Sequence, residues 1–396
     1  MGAIIRMLPL SMKAVQSEEK PNSLASDRPL SIEPPHCRSY SLRNSSRRIS
    51  AKMGSTGPET GINVALGGIM FGRFDGIPGV TAPFPTVESV TPLLDTLQAH
   101  GHNKVDTARI YGSGFSEKLL AEAEWEMRGL SIETKLYPTK FRPLAPNNVA
   151  YNHGPQDLRS GLMASLKALN ATRIDTFYLY APDHSTPYEE TLRAVNHLFL
   201  EGHFSRYGLC NYAAWEVAQM QEICEKRGWV KPAVYAGIYN ALIRTIEPEL
   251  VPCLRHYGMS FECAQPLASG LLTGRYRHDM ADSDHPQGGR FDPKNFIGLH
   301  MRQRYWHGAY FEALDIIRGA AKKHGLTEKE CALRWLSHHC FMKKELGDTV
   351  VLGAASVEQL EEDLIDLEKG PLPEEVAQAM EAAWQKAKNV PAPYAH

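Results

Sequence analysis

From Asn63 onward, short apolar runs rich in β-branched and aromatic residues alternate with segments of helical length, and this alternation is the feature that most constrains the fold. The runs read VALGG (64–68), VDTA (105–108), SIETKL (131–136), DTFYLYA (175–181), SRYGLCN (205–211), AVYAGIY (233–239), SFECAQ (260–265) and TVVLGAA (349–355). Helices are predicted between and after them at 87–100, 116–124, 155–169, 187–201, 213–227, about 247–257, 308–324 with 328–340, and 356–368. Gly202, Gly228 and Gly258 fall where helices should stop. Eight βα units in a row imply a (β/α)8 TIM barrel. A doubly wound sheet would want a Gly-x-Gly-x-x-Gly turn after the first strand. GGIMFG has the glycines without that spacing, and no acidic residue follows about twenty positions on in a matching strand.

In such a barrel, functional side chains gather at the C-terminal ends of the strands, where Asp106, Lys135, Tyr180 and Asn211 all fall. The stretch KVDTARIY (104–111) ends a strand in Asp106 and carries Tyr111 five residues on, while the next strand ends near Lys135. A phenol, an ammonium and a carboxylate on neighbouring strand ends make a proton donor. The expectation is that Lys135 lowers the Tyr111 pKa from about 10 and that Asp106 keeps Lys135 charged and oriented. The bland alternative is a helix-capping Asp, a packed Tyr and a surface Lys.

Composition excludes several classes. The chain has 396 residues, 43% hydrophobic and 22% charged, with net charge −2 and no long basic block in its body, so nucleic acid is not an expected partner. No apolar run reaches the length of a membrane span. Seven cysteines with no C-x-x-C argue against a disulfide framework or a thiolate zinc site. The adjacent pair His338-His339 points in different directions on a helix, so no metal is expected. Residues 1–58, rich in Ser, Pro and Arg, read as a disordered extension preceding a single domain at 59–396. Arg43, Arg47 and Arg48 give it some character of a mitochondrial presequence, while Glu18 and Glu19 oppose it. The expected location is cytoplasmic, with mitochondria as the alternative.

The stretches DTARIY, SIETK, FYLYAPDHSTPYEETL, YGLCNYAAWEV, PCLRHYG, PLASGLLTGRY, RQRYW and VVLGAASVEQLEE together resemble the aldo-keto reductases, most of all the aflatoxin-aldehyde and succinic-semialdehyde reductase branch. The resemblance runs from about Asn63 to the C-terminus. It implies reduction of an aldehyde or ketone by NADPH, with NADP preferred over NAD. Tyr111 is then the general acid, supported by Lys135 and by Asp106, which also borders the cofactor. Tyr180 and Arg304 are implied to meet substrate, Arg304 alternatively meeting a cofactor phosphate or lying on the surface. Cys210 and Asn211 would hold the nicotinamide carboxamide. Gln265, Pro266, Leu267, Ser269, Gly270, Leu271 and Arg275 would wrap the pyrophosphate, through backbone amides and one guanidinium. Ser356, Gln359 and Asp363 would meet the adenosine end. His184 is a further candidate for substrate contact, though a lone loop histidine is more often structural. A homodimer is compatible with the resemblance.

The sequence departs from the family pattern around the nicotinamide. The histidine of the fourth strand reads Tyr180, the Ser-Asn pair reads Cys210-Asn211, the sixth-strand Gln reads Ala236, and the stacking aromatic reads Ala264. Asp363 replaces an Asn that would read adenine, and the aromatic-plus-arginine ending is replaced by PYAH. Tyr180 is expected to fill space left by the smaller residues. Three readings follow: an active NADP-dependent carbonyl reductase, a cofactor-binding sensor or subunit with little activity, and a barrel enzyme that moves protons without hydride.

Overall fold

The computed structural model describes residues 59–74, 82–140 and 149–395; the extension expected over 1–58 lies outside them. Eight parallel strands close into a barrel in sequence order. They are β1 (Asn63–Gly67), β2 (Lys104–Asp106), β3 (Ser131–Leu136), β4 (Ile174–Leu179), β5 (Phe204–Cys210), β6 (Val234–Ile238), β7 (Ser260–Ala264) and β8 (Thr349–Leu352). The seam closes between β1 and β8, Val64 standing opposite Val350 and Leu66 opposite Leu352. Outside run α1 (Val87–Ala99), α2 (Phe115–Glu122), α3 (Pro155–Ala168), α4 (Tyr188–Leu200), α5 (Ala214–Arg227), α6 (Leu250–His256), α7 (Phe296–Tyr305), α8 (Gly308–Lys323), α9 (Glu328–His338), α10 (Val357–Glu368) and α11 (Glu374–Ala387). The barrel and the eight strands match the sequence reading. The strands stop short of several predicted ends, β8 at Leu352 rather than at residue 355, because the last residues turn out into the rim loops. Two helices, α7 and α11, were not expected. Among the described residues no helix is long and apolar enough to cross a membrane.

Strand alternation divides the chain between two interiors. Val105, Ile132, Phe177, Leu179, Tyr207, Leu209, Tyr235 and Phe261 face outward into the large core under the helices. The inward set is different: Tyr178, Cys210, Val234 and Ala236 form a small cluster of their own, with Tyr180 packed on it. Gly208 makes this possible, since a Cβ there would run into the Tyr178 ring and Val234. Other inward positions are charged, among them Glu133 and Glu262, both fully buried. An ionised group is tolerated there only with partners at hand. The hydrogen bonds and ion pairs of these side chains supply them.

Candidate active site

β2 and β3 are neighbours, with Asp106 opposite Glu133, so Asp106 and Lys135 leave the sheet side by side. The Lys135 ammonium is ion-paired to the Asp106 carboxylate and donates to the Thr107 carbonyl at 3.0 Å. It also lies 5.5 Å from the Tyr111 ring centre, 5.3 Å from Tyr178 and 5.7 Å from Tyr180. A cation among three aromatic faces gains from each ring quadrupole, more so when water is excluded. Tyr111 opens a short helical turn, Tyr111–Gly114, and is buried. Its hydroxyl stands 2.7 Å from that of Tyr180, the rings meeting edge to face at 6.1 Å. Tyr137 packs edge-on against Tyr180 from the other side at 5.4 Å.

The expectation that Lys135 lowers the Tyr111 pKa is not met. Burial, with the Tyr180 oxygen next to it, pushes the Tyr111 phenol well above its ordinary value. The lysine's charge is already met by Asp106, and burial draws its own pKa down to about 8. A barely exposed phenol next to another phenol is a proton carrier that stays protonated, and its proton leaves only toward a strong base.

Around this trio, Asn211 adopts a left-handed φ of 65° just past β5, and its amide donates to the Tyr180 carbonyl at 2.9 Å and to Cys210 Sγ at 3.3 Å. Burial pushes the Cys210 thiol up to about 12, so it sits as a neutral thiol despite the nearby lysine. Tyr180 packs beside Cys210 and Ala236, in the space that their small side chains leave.

Past β7 the backbone turns left-handed at Gln265 (56°), Ala268 (51°), Ser269 (58°) and Gly270 (100°). Three of these are not glycine. Left-handed residues in such a run cost energy, and the turn is closed on itself, the Ala268 N–H donating to the Gln265 carbonyl at 2.9 Å and the Gly270 N–H to the Leu267 carbonyl at 2.8 Å. The loop is braced: Tyr305 on α7 donates to Gln265 Oε1 at 2.5 Å, and Asn240 donates to the Gln265 carbonyl at 3.1 Å. Ser269 Oγ lies 3.3 Å from Gln265 Oε1 and 3.1 Å from Met301 Sδ. Pro266, Leu267 and Leu271 are buried and anchor the loop. Ser356 caps α10 by accepting from the Gln359 N–H at 3.2 Å, while Gln359 Oε1 takes the Ala355 N–H at 3.0 Å.

The remaining predicted residues differ in how firmly the fold holds them. Arg275 is exposed. Asp363 is wholly buried and ion-paired with Lys329 at 3.0 Å, so its carboxylate points under α10. His184 is bonded at 2.8 Å to Glu216, the residue that caps the Ala213 N–H of α5 at 2.7 Å, which gives the histidine a structural partner. Arg304 is half-buried on α7, within electrostatic reach of His300, Tyr305 and Tyr310, with no carboxylate partner among the described residues.

Sequence reasoning missed Arg290. Its guanidinium donates to Met70 Sδ at 3.1 Å, interacts with Tyr111, and has no carboxylate partner among the described residues. Burial holds its pKa below the ordinary value, while Tyr111 works in the opposite direction. A half-buried guanidinium whose polar contact is a thioether is suited to an anion. Its only signal in sequence is the preceding Gly288-Gly289 turn.

The closed eight-stranded barrel thus gathers a carboxylate, an ammonium and two phenols at its C-terminal rim, a set able to hold and pass a proton. The model of the aldo/keto reductase family matches residues 64–385, and the chain belongs to that family. It is 53% identical over 344 residues to the aldo-keto reductase pigE of Monascus ruber, covering 87% of this chain and 100% of that protein. It is 42% identical over 288 residues to human aldo-keto reductase family 7 member A3, covering 72% of this chain and 85% of the relative. A mouse protein named aflatoxin B1 aldehyde reductase member 2 is 42% identical over 292 residues, 72% of this chain and 77% of its own.

Proposed function

We propose that the protein reduces an aldehyde or ketone to an alcohol using NADPH, with Tyr111 as the general acid. The observation that carries this reading is the rim constellation: Tyr111 and Tyr180 hydroxyls 2.7 Å apart, over a Lys135 ammonium paired with Asp106. A carbonyl oxygen set between the two hydroxyls receives two donors as negative charge develops on it. Tyr111 passes its proton to that oxygen, and the phenolate left behind has the Arg290 guanidinium, whose charge acts against the upward shift, and the Lys135 ammonium near its ring. Asp106 holds the lysine in place, and Tyr180 supplies the second hydrogen bond and closes the pocket wall. The buried setting excludes water, which strengthens each of these interactions.

The residues present suit a nicotinamide dinucleotide phosphate. The half-buried Ser269 hydroxyl in the loop after β7 and the exposed start of α10 offer polar groups to the phosphate and adenosine parts, while Asn211 and the Arg290 guanidinium border the nicotinamide end beside Tyr111. When bound, the cofactor supplies the hydride. The name of the mouse relative, aflatoxin B1 aldehyde reductase member 2, supports an aldehyde as substrate.

NADPH fluorescence quenching followed by an absorbance assay on a generic aromatic aldehyde tests this reading. Tyr111→Phe is expected to keep cofactor binding and to lose about 10²-fold or more in kcat. Cofactor binding with no turnover by the native chain supports instead a sensor or subunit, which the small side chains Ala236 and Ala264 favour. Turnover unaffected by Tyr111→Phe contradicts the mechanism.

A further inference from the structure

Directly inside the barrel from the rim site, Asp106 adjoins a second set of charges, and those beyond Asp106 are not used by the proposed chemistry. Asp106, Glu133 and Glu262 bring carboxylate oxygens within 4.8 Å of one another, all buried. Lys104 reaches Glu133 at 3.2 Å and Glu262 at 3.0 Å, and Arg206 reaches Glu133 at 3.1 Å. Tyr178, whose ring faces Lys135, donates its hydroxyl to Glu262 at 2.5 Å. Thr176 adds a bond to Glu133 Oε1 at 3.3 Å, and Thr349 lies 3.4 Å from the Lys104 ammonium. The donors to Glu133 all converge on Oε1. Its Oε2 is buried and meets no donor among the described residues. A carboxylate oxygen without a donor, beside a second carboxylate, is accounted for by a proton of its own.

We propose that Glu133 carries a proton shared with Glu262, and that through its charge state Glu133 acts on Lys135 as a positioning residue for the Tyr111 acid. The inference rests on the reading of Tyr111 as proton donor. The charged groups around Glu133 come from the neighbouring strands, and Asp175 of β4 joins them through its 3.5 Å pair with Arg206. β2 contributes Lys104 and Asp106, β3 Lys135, β4 Tyr178, β5 Arg206 with Cys210 beyond it, and β7 Glu262; on β6 Tyr235 turns outward to the Tyr212 carbonyl. Asp106 pairs with Lys135, Glu262 with Lys104, and Asp175 lies 3.5 Å from Arg206, so each cation already faces an anion while Glu133 is protonated. The proton that leaves this set at higher pH comes from Glu133 or from Lys135. Burial and the Glu262 charge lift Glu133 to about 8, while burial lowers Lys135 to about 8, so the two compete for one proton. An ionised Glu133, two residues from Lys135 on the same face of β3, then holds the lysine proton more firmly.

Two measurements decide it. The first is an infrared pH titration of the native protein and of Glu133→Gln, following the carbonyl stretch of a protonated carboxylic acid. The expected result is a band present at pH 7, lost as pH rises past about 8, and absent in the variant. The second is the pH profile of carbonyl reduction with NADPH, each protein normalised to its own plateau. In Glu133→Gln, Lys135 titrates alone, and the alkaline limb is expected to move down by up to about 1.7 pH units, from the loss of one charge at ~7 Å in a medium of effective dielectric constant ~20. A native protein without the band at pH 7 overturns the proposal, and this arm stands even if the variant does not fold. A limb that stays in place or moves up overturns the control over Lys135. A Tyr111→Phe protein as active as the native one overturns the underlying reading instead, a result neither Glu133 measurement produces.

Discussion

Asp363 shows how far a single side chain can depart from a sequence-level expectation. It sits where the family resemblance puts an adenine-reading Asn, yet its carboxylate is buried against Lys329, and burial lifts its pKa to about 6. The native state therefore binds a proton, between the ordinary aspartate value of 3.8 and about 6, that the unfolded chain has already released. Stability falls as pH rises through that window and stays lower above it, by at most about 3 kcal/mol for a shift of two units. Lys329 keeps Glu362 at 2.8 Å if Asp363 becomes neutral. Asp363→Asn is thus expected to flatten the pH dependence of the urea midpoint between pH 4 and 6. At pH 7 it should be no less stable than the native protein. A loss of more than about 1 kcal/mol at pH 7 would show that the Lys329 pair outweighs burial.

Residue by residue, the rim trio was legible because type, order and strand position coincide in KVDTARIY and SIETK. The interior charges were not. Lys104, Glu133, Arg206 and Glu262 occupy alternate strand positions, and a polar residue at such a position ordinarily faces solvent. Only the closed barrel turns that face inward. Tyr180 was recognised as a departure, but its bond to Tyr111 depends on how the two rim loops approach each other, which spacing along the chain does not encode.

Among the elements, α7 and α11 teach opposite lessons. α11 carries Val376, Met380, Ala383 and Ala387 on one buried face, a helical period that was present in the sequence but lay beyond the eighth unit. α7 reads FIGLHMRQRY, with Phe296 and Leu299 exposed and no continuous apolar stripe, so periodicity could not find it. Its start is fixed instead by Asn295, which accepts the Gly298 N–H at 2.7 Å, and by the lack of a side chain at Gly298, where a Cβ would meet the Asp292 backbone. This helix carries Tyr305, which braces the Gln265 loop, and Arg304. Asn295→Ala is expected to cost about 1 kcal/mol in denaturant unfolding. Hydrogen exchange should speed up across 296–305 and in the loop at 265–271, with the strands unaffected; exchange raised evenly over the barrel would mean that the cap serves global stability alone.

For the whole molecule, the place that matters is the seam where the chain's first and last units meet. Beside the β1–β8 pairing, His100 at the end of α1 bonds to Glu368 of α10 at 2.6 Å and to Glu361 at 3.2 Å. Burial opposes the imidazolium, but Glu368 and then Glu361 outweigh it, and the His100 pKa is raised. A raised histidine contributes stability that is fully present below the ordinary imidazole value of about 6.5 and is lost as pH rises through the folded-state value. The difference in melting temperature between the native protein and His100→Gln should therefore be largest near pH 6 and shrink at higher pH. An equal difference at pH 6 and pH 9 would mean that the contact acts by packing, not charge.

The inward turn of Gly208 and the charges beneath it also bear on how this scaffold can be redesigned. Rim loops exchanged with those of a related barrel would land on the same strand ends and need only satisfy one another. A strand exchange would have to bring across Lys104, Glu133, Arg206 and Glu262 as a set, with the glycine that admits Tyr178, because any one of them transplanted alone leaves an unmatched charge or a clash at the centre of the barrel. New substrate ranges are therefore reached through the loops, and the strands are inherited as one block.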